Sequence, residues 1–310
     1  MDKDLAPVVL FIYNRPLHTR QTLEALKKNV LADRSVLYVF ADGPKENAGT
    51  ADLNLIAQTR RIIKESCWCK EVFLIEREKN MNLEDNVIDG VTDIINKFGK
   101  VIVLEDDIIT SPYFLQYCNE GLEVYKNSTQ VFSINGYMFP IDFKPGQETF
   151  LCPVATSSWG WATWADRWRL FEDNPRCIEE IGGNYFLKNR FNLADLNFMS
   201  TLKHMNTWDI RWYYTAFIRN GLGLFPTKSL VKNIGFDKSG THAGNEDLNQ
   251  DLYLSPVPVI YNDSININYY ADFLNYFKVA PPSVMQQIKN KIKFLFNIKN
   301  ITRAIRRTND

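Results

Sequence analysis

Short apolar runs alternate with amphipathic segments along the first part of the chain. Runs that predict strands lie at residues 7–13, 36–40, 71–75 and 101–104, and segments with helical spacing lie between them, at about 17–29, 51–65 and 83–97. Repeated strand–helix units with short turns are typical of α/β domains. The pattern therefore predicts a mostly parallel, doubly wound α/β sheet flanked by helices.

The strand that starts at Val101 ends in three consecutive carboxylates. Its apolar residues extend to Leu104, as in strands that are buried on both faces, and Glu105, Asp106 and Asp107 follow at its carboxyl end. Open α/β sheets bind ligands at this edge, and crowded like charges need a cation or hydrogen-bond donors beside them. Oxygen ligands suit Mg²⁺ or Mn²⁺, so the triplet predicts a metal site; a solvated acidic turn is the alternative.

Polar residues also follow the first two predicted strands. Arg15 follows the first strand and Asp42 follows the second, and because parallel strands end at the same edge of a sheet, we expect both to converge with Asp107 in one crevice. An Asp-Gly turn explains Asp42 equally well.

A helix is predicted after the acidic triplet. Ser111 is its predicted N-cap, with Pro112 at its first position.

Composition limits the class of protein. The 310 residues are 45% hydrophobic and 23% charged, as in ordinary globular chains, and 36 basic residues balance 36 acidic ones, so no nucleic-acid partner is indicated. Five cysteines without a CxxC pair fit reduced thiols. The start of the chain is acidic and its apolar run is too short for a signal peptide or a membrane span. These features predict a cytoplasmic protein.

The end of the chain has a different charge pattern. Residues 286–307 carry seven Lys and Arg residues and no acid, interleaved with apolar positions. This spacing predicts a basic amphipathic helical tail over residues 281–310. Such a helix can bind an anionic membrane surface, which would make the protein peripheral at the inner membrane face, or it can pack on the preceding domain.

Motifs that are missing from the turns narrow the choice of ligand. Neither GxGxxG nor GxxxxGK[ST] follows the first strand, so backbone amides are not expected to bind phosphates there. A metal at Asp107 would then carry much of the phosphate binding. At the ends of the first two strands, Asp42 can accept the N3 hydrogen of a pyrimidine, and Arg15 can approach a base or a diphosphate.

Several motifs, taken in order, resemble one family. LFIYNRP, YVFADGP and VIVLEDDIITSPYFLQY, followed by SSWGWATWADRW, NTWDIRWYY and FDKSGTHAGN, are similar to successive motifs of GT-A glycosyltransferases, particularly the group that includes N-acetylglucosaminyltransferase I. The resemblance covers most of residues 7–250. It implies a GT-A (Rossmann-like) domain over residues 1–280, with a nucleotide-binding half at 1–107 and an acceptor-side half at 108–280.

The resemblance also implies a role for each matching position in binding a UDP-sugar with Mn²⁺ or Mg²⁺. Arg15 and Asp42 would hold the uracil, Asp106 would lie near the ribose beside Glu105, and Asp107 would be the direct metal ligand. Asn86 stands where the compared family member has a phosphate-contacting His. His242 belongs to a glycine-flanked segment that would close over the donor; a solvated loop histidine is the alternative.

On the acceptor side, the resemblance makes Asp209 the catalytic base of an inverting transfer to a glycan or lipid-linked acceptor in surface polysaccharide synthesis. The alternative is that Asp209 caps the helix that follows it. Four tryptophans lie close together in the sequence. The spacing of Trp161, Trp164 and Trp168 also marks the apolar stripe of a helix. We expect Trp164 and Trp168 to be buried and Trp159 or Trp161 to face the acceptor.

Two other functions fit parts of the pattern. A nucleotidyltransferase that makes NDP-sugars would share the fold, but it is expected to have a Gly- and Lys/Arg-rich loop where this chain has YNRPLHTR. A non-catalytic module recruited to a membrane by the tail would not need its four acids, Glu105, Asp106, Asp107 and Asp209.

Overall fold

The centre of the fold is an eight-stranded sheet, seen in a computed structural model that describes residues 5–144, 146–154, 156–205, 207–237 and 251–278. Residues up to Tyr276 form one compact unit. The strands of the sheet are β1 (Val8–Ile12), β2 (Val36–Ala41), β3 (Glu71–Glu76), β4 (Lys100–Glu105), β6 (Val131–Asn135), β7 (Thr149–Cys152), β8 (Trp161–Trp164) and β9 (Leu222–Pro226). A separate two-stranded sheet joins β5 (Ile108–Thr110) to β10 (Val231–Asn233).

The strand order is β3-β2-β1-β4-β8-β6-β9-β7. The first four strands in this order are parallel, and so are β6 and β9, whereas β8 runs antiparallel to both β4 and β6 and β7 runs antiparallel to β9. Because β8 opposes both of its neighbours, β4 and β6 point the same way. The carboxyl ends of β1, β2, β3, β4 and β6 therefore lie at one edge of the sheet.

Helices cover both faces of this sheet. They are α1 (Pro16–Lys27), α2 (Thr50–Ile63), α3 (Asn82–Phe98), α4 (Phe114–Val124), α5 (Ala165–Trp168), α6 (Ile178–Gly183), α7 (Tyr185–Phe191), α8 (Phe198–His204), α9 (Trp208–Phe217) and α10 (Ile267–Tyr276). Apolar residues of α1, α2 and α4 pack on one face and those of α3, α5 and α9 pack on the other. Side chains alternate along β1 accordingly, with Leu10 in the first core and Phe11 in the second.

Local chemistry sets the start of α1 and the end of α3. Pro16 opens α1, where its fixed φ suits a helix and its missing N–H costs nothing. Gly99 ends α3 in the left-handed conformation, with φ of 78°, and its N–H donates to the carbonyl of Ile95. The chain then enters β4 directly, so this turn fixes the first residue of the strand. Glu105, six residues after Gly99, is the last residue of β4.

The fold class is confirmed as an α/β sheet flanked by helices, and every strand and helix predicted before residue 105 is present. The tail predicted over residues 281–310 lies outside the described residues. Within the described residues, none of the helices combines the length and apolar character needed to cross a bilayer.

The helix start predicted at Ser111 is wrong. The strand β5 follows the acidic triplet and pairs with β10, and α4 begins only after Tyr113. The Ser111 hydroxyl donates to the carbonyl of Tyr253 at 2.6 Å, so it is engaged in a long-range contact, and Pro112 lies in the turn before the helix. The pairing partner of β5 is more than a hundred residues away, so local capping rules could not indicate it.

Candidate functional site

A cavity of about 550 Å³ opens at the edge where β1, β2 and β4 end. Eight residues that the sequence predicts as site residues line it, namely Arg15, Asp42, Asn86, Glu105, Asp106, Asp107, Trp159 and Asp209. This volume is typical of small-molecule and cofactor sites. The convergence of side chains from the ends of successive strands is therefore confirmed.

Arg15 contacts the acidic triplet. Its guanidinium donates to both carboxylate oxygens of Asp106, with Nε 3.3 Å from Oδ2, and a terminal nitrogen lies 3.0 Å from Oδ2 of Asp107. Asp106 is 4% exposed and Asp107 is 8% exposed. The arginine thus offsets part of the buried negative charge. Its predicted contact with uracil stays a prediction.

The carboxylates retain a surplus of negative charge despite this arginine. Burial raises the pKa of Asp106 to about 6, although the charge of Arg15 acts in the opposite direction. Burial also raises the pKa of Glu105 well above its ordinary value, and the charges of Asp107, Asp106 and Asp209 add to this effect. Neighbouring acids that resist ionisation together mark a place where a cation is favourable.

Asp107 fits the chemistry of a divalent cation ligand. Its Oδ1 is buried and has no hydrogen-bond partner within the described residues, and a buried carboxylate oxygen without a partner is costly. No group of three or more His, Cys, Asp or Glu side chains in the described part of the chain could hold a metal by itself. A cation here would therefore take most of its ligands from water and from the phosphates of a substrate, as Mg²⁺ usually does.

The loop after β10 closes over Asp107. The backbone N–H of Ile234 donates to the Asp107 carbonyl at 2.9 Å, and a Cβ added to Gly235 would lie 2.2 Å from Oδ2 of Asp107. Only a residue without a side chain allows this close approach. Gly235 and Asn233 also line the cavity, and the sequence analysis missed both of them.

Asp42 is held in a dense set of hydrogen bonds. Its Oδ1 accepts the backbone N–H groups of Gly43 and Met81, both at 2.8 Å, and its Oδ2 accepts from Nδ2 of Asn80 at 2.8 Å. Burial raises the pKa of Asp42, while the backbone N–H groups of Met81 and Gly43 lower it. Residues 42–45 form no turn, so the Asp-Gly turn expected as an alternative is not observed. A pyrimidine N–H could bind only at the lone pair that remains on Oδ2.

Asp209 lies in the first turn of α9, and Thr207 is the N-cap residue. The Thr207 hydroxyl donates to Oδ1 of Asp209. The backbone N–H of Trp208 donates instead to Oε2 of Glu84, which belongs to α3 and lies 3.5 Å from a terminal nitrogen of Arg211. Glu84 thus supplies the acceptor at the start of α9. Asp209, partly buried, lines the cavity.

Trp161 corrects one of the predictions. Its side chain is fully buried in β8 and does not line the cavity, so it cannot face an acceptor. It packs against Trp168, Trp208 and Trp212 with ring centroids 5.8, 5.5 and 6.2 Å away. The helical stripe that its spacing suggested is also wrong, because Trp161 lies on a strand.

Two of the other three tryptophans of the motif are buried, as expected. Trp164 and Trp168 are buried, at 5% and 4% exposure. Trp159 lines the cavity and lies edge-on to Tyr137 and Phe236, with centroids 4.5 and 5.4 Å away. Its acceptor-side role stays a prediction.

Asn86 lines the cavity from α3, where Nε of Arg77 donates to its Oδ1 at 3.4 Å. A phosphate contact from Asn86 stays a prediction. His242 lies outside the described residues.

Sequence reasoning also missed Asn80 and Glu84. Asn80 follows β3, so the rule applied to the first, second and fourth strands would have found it. Glu84 had no local signal, because an acid in the first turn of a helix is common and its contact with α9 joins residues 124 positions apart.

Comparisons with known proteins give no family assignment. No family model matches the chain, and no curated protein matches it. Similar solved structures include S. aureus TarS, at 12% identity over 74% of this chain and 37% of that chain, with a TM-score of 0.36. A TarS 1–349 structure matches at 9% identity over 73% of this chain and 59% of that chain, also with a TM-score of 0.36.

A third similar structure is UDP-glucose pyrophosphorylase complexed with UDP-glucose, at 9% identity over 74% of this chain and 92% of that chain, with a TM-score of 0.36. This chain spans 37% and 59% of the lengths of the two TarS structures. Similarities at this level carry no functional argument. None of the three bears out the finer resemblance to the N-acetylglucosaminyltransferase I group, which stays a prediction.

Proposed function

We propose that this protein is a glycosyltransferase that moves a sugar from a UDP-sugar to a glycan or lipid-linked acceptor. The observation that carries the proposal is the cavity at the carboxyl ends of the parallel strands. There, an unpartnered oxygen of Asp107 and a second carboxylate, Asp209, line the same space. The charged diphosphate of a donor needs a cation ligand such as Asp107, and an acceptor hydroxyl needs a carboxylate such as Asp209 to take its proton.

Donor binding follows from the side chains at the strand ends. Asp42, held by Asn80, offers an acceptor for the base, and Asp107 would hold the divalent cation of the diphosphate. Bound Mn²⁺ or Mg²⁺ would supply charge stabilisation for the departing diphosphate. Arg15 lies where its guanidinium can shift from the carboxylates to a phosphate oxygen, since arginine binds both groups in the same geometry.

The transfer itself needs a proton acceptor. The acceptor hydroxyl oxygen attacks the anomeric carbon, the bond from that carbon to the diphosphate oxygen breaks, and the hydroxyl proton passes to Asp209. Attack opposite to the leaving group inverts the anomeric configuration. The Thr207 hydroxyl donates to Oδ1 of Asp209 and so orients the carboxylate. Trp159 offers an aromatic ring for the acceptor sugar.

The cellular setting is part of the proposal. A cytoplasmic enzyme that is peripheral at the inner membrane face could build a surface polysaccharide on a lipid-linked acceptor. The basic residues 286–307 support membrane contact, because clustered Lys and Arg bind anionic lipid surfaces.

The first experiment is a thermal-shift panel of UDP-sugars with Mn²⁺, followed by measurement of UDP release with and without glycan acceptors. A single donor should stabilise the protein, and acceptor should increase UDP release. Formation of an NDP-sugar from NTP and sugar 1-phosphate would identify a nucleotidyltransferase instead. Binding of a donor with no release under any condition would favour the non-catalytic module.

The second experiment separates binding from chemistry. Asp209→Asn should keep the donor affinity and lower turnover roughly a hundredfold, the usual scale for a general base. Asp166→Asn is the matched control, because Asp166 also lies in the first turn of a helix but does not line the cavity. Full activity of Asp209→Asn would place the base elsewhere. The next candidate is Asp237, whose Oδ2 lies 3.1 Å from Nε2 of His18.

A further inference from the structure

Two adjacent aromatic residues project from the start of α7. Tyr185 is 73% exposed and Phe186 is 81% exposed, which makes them the most exposed aromatic side chains of the described residues. Single exposed apolar residues are common on protein surfaces. Two consecutive aromatic rings in contact with each other, 5.6 Å apart and almost perpendicular, form an apolar patch that no element of the described fold covers.

The backbone beneath this pair is held in place. The side chain of Asn184 caps α7 by accepting the backbone N–H groups of Phe186 and Leu187, at 3.0 and 3.1 Å. At the other end of the helix, Phe191 is fully buried and packs on Tyr213 of α9, with ring centroids 5.0 Å apart. Helix α7 is thus capped at its start and packed on α9 at its end, so Tyr185 and Phe186 stand on a well-formed helix.

Helix α7, which begins with this pair, packs against α8. Thr201 of α8 and Met205, which directly follows that helix, line the cavity. Met205 is itself 52% exposed. A surface that contacts α7 and α8 together would therefore lie beside the cavity.

The charges around the pair favour an anionic partner. Between residues 181 and 204 the chain carries Lys188, Arg190 and Lys203 against a single acid, Asp195. Lys188 and Lys203 are exposed. The two acids of α6, Glu179 and Glu180, lie in its first turn, away from the end that leads into α7. Outward aromatic rings flanked by cations are the pattern of helices that rest in the headgroup region of a bilayer.

We propose that the surface of α7 and α8 contacts an anionic bilayer, with Tyr185 and Phe186 inserted among the headgroups. On the proposed glycosyltransferase function, this contact would hold the cavity entrance at the membrane, and the acceptor would be a lipid-linked saccharide. This contact is made by residues of α7 and α8. It has its own observable, since it places residue 185 in lipid.

The test uses the full chain with an environment-sensitive fluorophore at residue 185. Tyr185→Cys is labelled in a chain that also carries Cys67→Ser and Cys177→Ser, because those two native thiols are not fully buried. Vesicles of phosphatidylcholine with phosphatidylglycerol should shift the emission to the blue, and vesicles of phosphatidylcholine alone should do so much less. The control is Tyr261→Cys labelled in the same way, which is 58% exposed but lies elsewhere on the surface. No blue shift at residue 185, or an equal shift at both positions, would overturn the proposal.

The second measurement uses unlabelled protein. The double variant Tyr185→Ser, Phe186→Ser should bind anionic vesicles roughly tenfold more weakly, because two apolar side chains no longer insert. Ile260→Ser, Tyr261→Ser is the matched pair, with 75% and 58% exposure, and should bind as the parent does. Loss of a dimer in the first double variant, with vesicle binding unchanged, would identify a second copy of the chain as the partner and reject the bilayer.

UDP binding in the same samples keeps the two proposals distinguishable. Both variants should bind UDP with Mn²⁺ as the parent does, since neither changes the cavity. If the parent binds vesicles through residue 185 but binds no UDP-sugar, the membrane surface stands and the proposed glycosyltransferase function fails. If UDP-sugar is bound and turned over but residue 185 never enters lipid, the glycosyltransferase function stands and the membrane contact fails.

Discussion

The acidic edge of β4 and the tryptophan cluster beside it make opposite contributions to the fold. The acidic edge is Glu105, Asp106 and Asp107, and the tryptophan cluster is Trp161, Trp168, Trp208 and Trp212. They lie close together, because β4 pairs with β8, which begins at Trp161, and the other three tryptophans pack on Trp161 from α5 and α9. The cluster buries large apolar rings, which stabilises the fold. The acidic edge buries charge, which costs stability unless a ligand offsets it.

The contrast shows that a dense group of unusual residues can mark either a buried core or the lining of a cavity. Both regions contain predicted site residues, namely the three acids in one and Trp161 in the other. Burial separates them, since Trp161 is fully covered by other rings while the carboxylates face a cavity. The four predictions below test this contrast, from the largest effect to the smallest.

The largest effect is expected at the centre of the tryptophan cluster. Trp161→Ala should lower the free energy of unfolding by about 3–5 kcal/mol, because it leaves a large cavity among rings that cannot close it. Urea denaturation measures this loss. Trp159→Ala is the control, since Trp159 is only partly buried at the cavity wall, and its loss should be clearly smaller. Equal losses would remove the distinction between core and cavity wall.

The next effect concerns the cation at the acidic edge. UDP at about a hundred times its dissociation constant, with Mn²⁺, should stabilise the parent by about 2.7 kcal/mol. Asp107→Asn should abolish most of this gain while leaving the protein without UDP no less stable, because a buried charge is removed. Thermal unfolding with and without excess EDTA measures both values. Equal stabilisation of the parent by UDP in EDTA would contradict the role of Asp107.

A third prediction concerns the glycine that covers Asp107. Gly235→Ala should weaken UDP binding about tenfold and destabilise the fold by about 1–3 kcal/mol, because the new methyl group overlaps the carboxylate. Isothermal titration and urea denaturation give the two quantities. Gly183→Ala is the matched control, since its Cβ meets nothing within 4 Å. If both variants behave alike, the close approach at Gly235 has no functional weight.

The smallest effect has the opposite sign. Because burial and neighbouring charges raise the pKa of Glu105, the folded state binds protons that the unfolded state has already released. The free energy of unfolding without metal should therefore fall as the pH rises from the ordinary pKa of a buried carboxyl to its raised pKa. For Asp106 this interval extends from 3.8 to about 6.

Glu105→Gln should accordingly raise the melting temperature at pH 7 by about 1–2 °C, which corresponds to about 1 kcal/mol for a chain of this size. It should also flatten the dependence on pH. Melting curves from pH 4.5 to 7.5 test both expectations. A lower melting temperature at pH 7 would mean that the Glu105 carboxylate is already stabilised in the fold.

Local pattern was sufficient for the first half of the sheet. The strands β1 to β4 and the helices between them have short connections and clear periodicity, so residues at their ends converge as expected, including Arg15, Asp42 and Asp107. The same reasoning failed at Ser111, because β5 pairs with a strand far along the chain. The acceptor contact predicted for Trp161 is wrong because rings of α9, far along the chain, cover its side chain. The helical stripe is wrong because spacing alone does not distinguish a strand from a helix in a short segment.

The sequence by itself determined the α/β class, the acidic end of β4 and the elements around it, because these depend on neighbouring residues and on periods of two and 3.6 residues. Only the tertiary structure decided which carboxylate oxygen lacks a partner, which tryptophans are buried, and that Glu84 binds the start of α9. These facts depend on contacts between residues far apart in the chain. Burial and charge compensation are properties of such contacts, so no local pattern encodes them.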